Sequence, residues 1–128
     1  MIITYIKTPK GKYLFSFHRH DYNSIKENGV EYFIDGGFDY IRYNGQLCSD
    51  LISDVIDLIR EQFTWESIYD KDNNLLDQPI KRLLKDLSEE HILNIIKYLI
   101  ETNKSIDIKR LLAIILIMNC ELIYRKKL

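Results

Sequence analysis

Residues 13–21, YLFSFHRHD, alternate between two faces in the manner of a β-strand. Successive side chains of a strand point to opposite sides of a sheet, so the aromatic residues at positions 13, 15 and 17 share one face. Leu14, Ser16, His18 and His20 share the other face. This alternation predicts a strand that ends in a cluster of polar side chains, and it places residues 1–45 in a β-rich part of the fold.

Three more segments near this strand have the composition of strands: residues 2–8 (IITYIKT), 30–35 (VEYFID) and 38–43 (FDYIRY). They are rich in β-branched and aromatic residues, and turn-forming sequences separate them: PKGK at 9–12, GG at 36–37 and NG at 44–45. Short connections between consecutive strands favour antiparallel pairing. Residues 1–45 are therefore predicted to form an antiparallel β-meander of about four strands.

From Cys48 onward the apolar residues recur at helical spacing. The pattern predicts a helix over residues 51–63 capped by Ser49 or Asp50, a short helix at 80–87 (IKRLLKDL), and a helix that starts after Ser88. A last helix over residues 107–124 is apolar nearly all round at 111–118, which predicts that it lies at the centre of the core. The fold is predicted to be α+β, a single domain at 1–128 whose meander packs on a helical part, 48–128, of three to four helices.

The composition excludes several classes of protein. The chain has 128 residues, of which 46% are apolar and 29% charged, and this is typical of an ordered globular domain. A net charge of −1 gives no strong signal for nucleic-acid binding. The longest apolar run, residues 111–118, is far shorter than the roughly 20 residues that span a bilayer. The start of the chain has no secretory signal, and the two distant cysteines are typical of free thiols, so we expect a soluble cytoplasmic protein.

The polar end of residues 13–21 is the candidate site. Two histidines at positions i and i+2 of a strand lie about 6.5–7 Å apart on one face, close enough to converge on one ion or phosphate. The glycine pair at 36–37 would let backbone N–H groups approach a bound anion closely. The predicted ligand-binding residues are His18, Arg19, His20, Asp21, Tyr22, Asp35, Gly36, Gly37, Asp39, Tyr40 and Arg42.

Three interpretations of this cluster remain open from the residues alone. His18 and His20 could hold a divalent metal with Asp35 as third ligand, or with Asp21 or Asp39 in its place, although nothing in the pattern requires a cofactor. The cluster could instead be a metal-free polar pocket for an anion, or a structural network in which a buried Arg19 pairs with Asp21, Asp35 or Asp39. Trp65 is predicted to pack between the sheet and the helices, and the alternative is that its ring stacks on a nucleobase or on an arginine. Catalytic residues cannot be assigned, since no Ser-His-Asp triad, P-loop or G-x-G-x-x-G motif is present, and whether the chain is an enzyme stays open.

Five motifs give the chain a resemblance to a known group of proteins: HRHDY (18–22), DGGFDYIR (35–42), FTW (63–65), LKDL followed by HI (84–87, 91–92) and ELIYR (121–125). In their order they resemble those of a family of small phage and prophage proteins without an assigned activity. Some members carry cysteine pairs beside the histidine motif, which this chain lacks. The resemblance implies a phage-encoded accessory protein that acts inside a bacterium, and counter-defence is the role expected of it.

These observations lead to three functional hypotheses. The first is a protein that binds an anionic, nucleotide-like small molecule through the His/Arg/Tyr cluster. The second is an inhibitor of a host protein that uses the surface of residues 80–87. The third is a metal-dependent phosphodiesterase with His18 and His20 as ligands. Self-association is left open.

Overall fold

The computed structural model describes residues 1–70, 72, 74–102 and 107–127. Within these residues the strands form three small antiparallel sheets, and the two long helices follow at the C-terminal end, so the predicted α+β class is confirmed. The strands are β1 Ile2–Lys7, β2 Tyr13–Leu14, β3 Asn23–Glu27, β4 Val30–Asp35, β5 Arg42–Asn44, β6 Gln46–Leu51, β7 Thr64–Tyr69 and β8 Leu75–Leu83. The helices are α1 Ile56–Ile59, α2 Glu89–Glu101 and α3 Ile108–Lys126, with 3₁₀ turns at Ile52–Asp54 and Leu84–Asp86.

Within each sheet, adjacent strands run antiparallel. The first has the order β2–β1–β6, the second β3–β4–β5, and the third is the β7–β8 hairpin. Asn28 and Gly29 connect β3 to β4 with φ angles of 50° and 79°, the backbone that a two-residue hairpin turn requires. The predicted strand at 30–35 is confirmed as β4.

The predicted strand at 13–21 is wrong beyond Leu14, where β2 ends. The backbone that follows is satisfied by a side chain instead of a neighbouring strand. The Phe15 N–H donates to Oε1 of Gln62 at 3.1 Å, and Nε2 of Gln62 donates to the carbonyl of Tyr13. Because the chain is not held in a sheet here, it is free to turn at residues 18–20.

The helix predicted over residues 51–63 is also largely wrong. Residues 46–51 form β6, which pairs with β1 along its whole length, from Ile2 opposite Leu51 to Lys7 opposite Gln46. Ser49, the predicted helix cap, instead lies within 3.2 Å of the Thr4 hydroxyl across the sheet. Only α1 keeps the helical conformation. Pairing with β1 holds the predicted cap residues in a strand, and the predicted helix is reduced to the 3₁₀ turn at Ile52–Asp54 and the single turn of α1.

The short helix predicted at 80–87 is wrong for the same reason. Residues 80–83 belong to β8 and pair with β7, and a 3₁₀ turn follows at Leu84–Asp86. Pro79 lies inside β8, and a strand tolerates proline where its N–H would point away from the partner strand. Strands β7, β8 and most of β6 therefore lie within residues 48–128, the part of the chain that was predicted to be helical.

One main core joins both ends of the chain. The rings of Tyr5, Phe15 and Phe17 stack in sequence, with centroids 4.6 and 5.7 Å apart, and Phe63 meets Phe17 edge-on at 5.1 Å. Buried side chains of α2 and α3 complete this cluster. The predicted cap of α2 is confirmed, since the Ser88 hydroxyl accepts a hydrogen bond from the His91 N–H at 3.1 Å. None of the helices in the described residues is both long and apolar enough to cross a membrane.

Helix α3 differs from its predicted central position. One side is buried in the core, whereas Leu112 and Ile123 on the other side are 52% and 55% exposed. The buried side contains a charge, Glu121, which is fully inaccessible to solvent. Arg60 donates to both of its carboxylate oxygens at 2.8 and 3.1 Å, and Arg125 donates to Oε2 at 2.6 Å. Burial alone would raise the pKa of the Glu121 carboxyl, but the two arginines outweigh it and lower that pKa.

Candidate ligand-binding site

The two histidines of the candidate site lie in a turn and not on a strand. His18, Arg19 and His20 are all exposed. The expectation that both imidazoles point to one face depended on strand geometry, so it fails where β2 ends. The strand geometry from which the two imidazoles were predicted to share a face is therefore absent at residues 18–20.

The turn is held in shape by its own polar groups. Oδ2 of Asp21 accepts the N–H of Phe17 at 2.8 Å, and the Ser16 hydroxyl donates to the carbonyl of Asp21 at 2.6 Å. The N–H of Gly37 donates to the same Ser16 oxygen at 2.9 Å. Asp21 and Ser16 thus organise the histidine turn, and they connect it to the glycine pair.

The glycine pair packs against the histidine turn. Gly37 has a φ angle of 58°, and a Cβ at this position would lie 2.5 Å from the carbonyl carbon of His18. Gly36 has a φ angle of 100°, and a Cβ there would lie 1.8 Å from the carbonyl oxygen of Tyr40. The Gly37 N–H is already bonded to Ser16, so it is not directed at solvent, as an anion-binding amide would have to be. The glycine pair and the histidine turn are neighbours. The glycines allow the two main chains to pack closely, and they do not present N–H groups to an anion.

The remaining predicted residues form local contacts around these turns. Arg42 donates to the buried carboxylate of Asp35 opposite it in the sheet, and this pairing raises the pKa of the arginine. The guanidinium of Arg42 also lies 5.6 Å from the ring centre of Tyr40. Asp39 is exposed on the same turn. A structural arginine–aspartate pair is thus present, but it joins Asp35 to Arg42, whereas Arg19, the arginine for which such a network was predicted, is exposed.

Tyr22 has a separate set of contacts beside the histidine turn. Its hydroxyl donates to Glu31 at 2.8 Å, which raises the pKa of Tyr22, and its ring stacks on Phe33 with centroids 5.4 Å apart. The ring is half exposed, since 52% of the residue is accessible. Tyr22 thus offers one edge to the space between the histidine turn and β7.

That space is an open groove of about 620 Å³. Its walls are the segment from β2 to β3, the β7–β8 hairpin with the residues just before it, and the start of α3. It is lined by Leu14, Phe15, Phe17, His18, Asp21, Tyr22, Asn23, Glu61, Gln62, Phe63, Thr64, Trp65, Glu66, Lys81, Leu83, Arg110 and Ile114. Of the predicted site residues, His18, Asp21 and Tyr22 reach this groove.

Three functional candidates in the groove were not in the predicted set. Trp65, from the start of β7, is half buried against the core and contributes to the groove wall. Lys81 of β8 and Arg110 in the first turns of α3 are exposed cations that line the same groove. The FTW motif at 63–65 indicated Trp65. Lys81 was missed because residues 80–87 were predicted to be a helix, whereas Lys81 lies on β8 opposite Glu66 of β7.

A polar contact fixes the hairpin wall to α2. The hydroxyl of Ser67 on β7 lies 3.3 Å from Nε2 of His91 in the first turn of α2. Partial burial lowers the pKa of His91, and the positive charge of Arg82 on β8 lowers it further. The lowered pKa favours the neutral imidazole, which can share a hydrogen bond with Ser67.

The predicted metal set is not assembled. Across residues 1–70, 72, 74–102 and 107–127, no group of three histidine, cysteine, aspartate or glutamate side chains is arranged to hold a metal ion. The carboxylate of Asp35 is engaged by Arg42, and the two histidines lie in an exposed turn.

Comparisons of the chain with family models, with curated proteins and with solved structures found no match.

Proposed function

We propose that the chain binds a small anionic ligand with an aromatic ring, of the nucleotide class, in the groove between the histidine turn and the β7–β8 hairpin. The observation that carries the proposal is the position of Trp65, Lys81 and Arg110 around one open cavity. Its volume of about 620 Å³ lies in the range of small-molecule sites, about 300–1,000 Å³.

Lys81 and Arg110 supply the positive charge. Neither residue takes part in an ion pair with the described residues, so both side chains are available to a phosphate or carboxylate. An arginine can bind such a group with two parallel hydrogen bonds, and a lysine acts as a point charge. His18 adds a further hydrogen-bond donor at the opposite wall.

The acidic groups of the groove are compatible with an anion. Glu61 is paired with Lys85 at 2.7 Å, and the Asp21 carboxylate is bonded to the N–H of Phe17. Glu66 stands across the hairpin from Lys81, and it is suited to accept a hydrogen bond from a sugar hydroxyl or an amino group. The flat ring of Trp65 provides a stacking surface for the aromatic part of the ligand.

The experiment is a thermal-shift titration of the purified protein with a panel of nucleotides, with mass spectrometry of small molecules released from denatured protein. A ligand at about one hundred times its Kd stabilises the fold by about 2.7 kcal/mol, which is readily measured. Lys81→Ala combined with Arg110→Ala should abolish the shift, and Lys97→Ala on the exposed face of α2 serves as control. If no nucleotide shifts the melting temperature and no molecule is released, the proposal is wrong.

The biological role that fits such a site is sequestration of a small signalling molecule. This agrees with the counter-defence role implied by the resemblance to phage proteins. Binding without turnover is the minimal activity that the groove supports, since the proposal assigns no nucleophile or general base. Incubation of the bound nucleotide with the protein should therefore return it unchanged.

A further inference from the structure

Asn23 lines the groove with a side chain whose orientation is fixed. It is the first residue of β3, where its backbone pairs with Ile34 of β4, and the residue is half buried. Its Nδ2 donates to the carbonyl of Phe15 at 3.1 Å and to Oε1 of Gln62 at 3.2 Å. Both hydrogens of the Asn23 amide are therefore used within the wall of the groove.

The main chain determines which way round the two carboxamides lie. The Tyr13 carbonyl accepts from Nε2 of Gln62, and the Phe15 N–H donates to Oε1 of the same side chain. The Phe15 carbonyl likewise requires a donor from Asn23. Reversing either amide would set one acceptor against another, which costs more than the loss of a hydrogen bond. These contacts therefore hold Asn23 with its nitrogen toward the wall.

The oxygen of the Asn23 side chain is an open acceptor. Among the residues that the structure describes, no donor reaches Oδ1 of Asn23, and no buried side-chain nitrogen or oxygen lacks a partner. Oδ1 is therefore accessible to solvent. Since Nδ2 faces Phe15 and Gln62, Oδ1 is the polar atom that this residue presents to the groove. An amide oxygen held in this way can accept a hydrogen bond but cannot donate one.

We propose that Asn23 makes the groove selective for a ring that carries an exocyclic amino group, an inference that rests on the proposed nucleotide site. Adenine and cytosine present an amino donor at the ring edge where guanine and thymine present a carbonyl oxygen. An amino group at this edge completes a hydrogen bond to Oδ1 of Asn23. A carbonyl oxygen at the same edge meets a fixed acceptor and leaves it without a partner.

Asn23 supplies a discrimination that the other groove residues lack. Lys81 and Arg110 attract the anionic group and Trp65 stacks on the ring, but such contacts are alike for every base. Glu66 is exposed and is left for the sugar hydroxyls. An asparagine that is free to rotate would offer its amide hydrogens to a carbonyl as readily as its oxygen to an amino group. The fixed orientation of Asn23 removes the first of these choices.

The test is calorimetric titration of the full chain with two matched pairs of nucleotides. One pair is adenosine and inosine triphosphate, and the other is cytidine and uridine triphosphate. Within each pair a carbonyl replaces the amino group, while the phosphates and the sugar are the same. The wild type should bind the amino member about tenfold more tightly, because one hydrogen bond is gained on one side and one acceptor is left unpaired on the other.

Asn23→Ala should make the two affinities of each pair nearly equal. It should weaken the amino member and leave the carbonyl member almost unchanged, whereas the loss of a merely structural side chain would weaken both members equally. Asn44→Ala is the matched control, because the Asn44 amide also donates to a carbonyl, that of Glu31 at 2.8 Å, but Asn44 does not line the groove. This control should change neither affinity, and circular dichroism checks that both variants are folded.

The outcomes separate this inference from the proposed site. Equal affinities within the pairs, or tighter binding of the carbonyl member, overturn the role of Asn23 and leave the ligand groove in place. A preference for the amino member that persists in folded Asn23→Ala also overturns this role. If no nucleotide binds to the wild type, the inference and the proposed function are both wrong. The wild-type affinities test the preference even where Asn23→Ala does not fold.

Discussion

Gly37 lies directly against the backbone of His18. A Cβ at residue 37 would come within 2.5 Å of the His18 carbonyl carbon and 2.7 Å of its Cα and nitrogen. The two sequence motifs with the most unusual composition are therefore joined by close packing of their main chains. The Gly37 N–H completes this contact by donating to Ser16, which also holds the histidine turn.

Gly37→Ala should destabilise the protein by about 3 kcal/mol, because the new methyl group meets main-chain atoms that cannot move aside, and because φ is positive. Chemical denaturation measures the free energy of unfolding. Gly29→Ala is the matched control, since Gly29 also has a positive φ but has no atom within 4 Å of its added Cβ. That variant should lose only about 1 kcal/mol. Equal losses in the two variants would mean that the motifs do not pack as described.

Glu121→Ala should cost about 3 kcal/mol, because it leaves Arg60 and Arg125 facing a buried position without their carboxylate. The control is Glu61→Ala, which breaks the exposed pair with Lys85 and should cost less than about 1 kcal/mol. Urea titrations of both variants give the comparison. A loss at Glu121 no larger than that at Glu61 would show that the buried network contributes little to stability.

The stability of the fold should fall as the pH drops below about 6.5, because the pKa of His91 is lower in the folded chain than the ordinary histidine value of 6.5. The unfolded chain then takes up a proton more readily than the folded one, in which burial and the charge of Arg82 disfavour the imidazolium. The stabilisation is present above this pH and lost below it, and we expect a loss of about 1 kcal/mol or less, since the ring is partly solvated. Melting temperatures between about pH 7.5 and 5.5 measure it, and His91→Gln should flatten the slope. An unchanged slope in this variant would assign the effect to other groups.

The two neighbouring histidines should differ in their effect on ligand affinity. His18 lines the groove, whereas His20 does not, although both are exposed. His18→Ala should weaken nucleotide binding severalfold, and His20→Ala should leave it unchanged. Neither variant should change stability by more than about 0.5 kcal/mol, because both side chains are at the surface. Calorimetric titration of both variants checks this, and an equal loss of affinity would contradict the proposed position of the ligand.

The sequence predicted the structure correctly where interactions between neighbouring residues determine it. The β-branched run at 30–35 is β4, and Ser88 caps α2 as its side-chain chemistry requires. The hairpin turn at Asn28 and Gly29 could also have been predicted, since Asn-Gly between two strand-like segments is a strong hairpin signal.

The errors arose where distant residues decide the structure. Residues 46–51 form β6 because β1 pairs with them, and the sequence of the segment itself does not indicate this partner. The chain leaves the sheet after Leu14, where Gln62, far along the chain, bonds the backbone of Tyr13 and Phe15. The candidate site shifted for the same reason. Its histidine segment was identified from the sequence, although as a strand and not as a turn, and Lys81 and Arg110 approach it only through the hairpin and α3.

Trp65 permits the most direct test of the proposed ligand site. It is the one tryptophan in the chain, and it lines the groove, so its fluorescence reports on that cavity alone. Selective excitation during titration with a nucleotide should give saturable quenching in the wild type. The quenching should be lost when Lys81→Ala and Arg110→Ala are combined. Saturable binding measured by calorimetry that leaves the Trp65 emission unchanged, or that persists in the double variant, would contradict a ligand site in this groove.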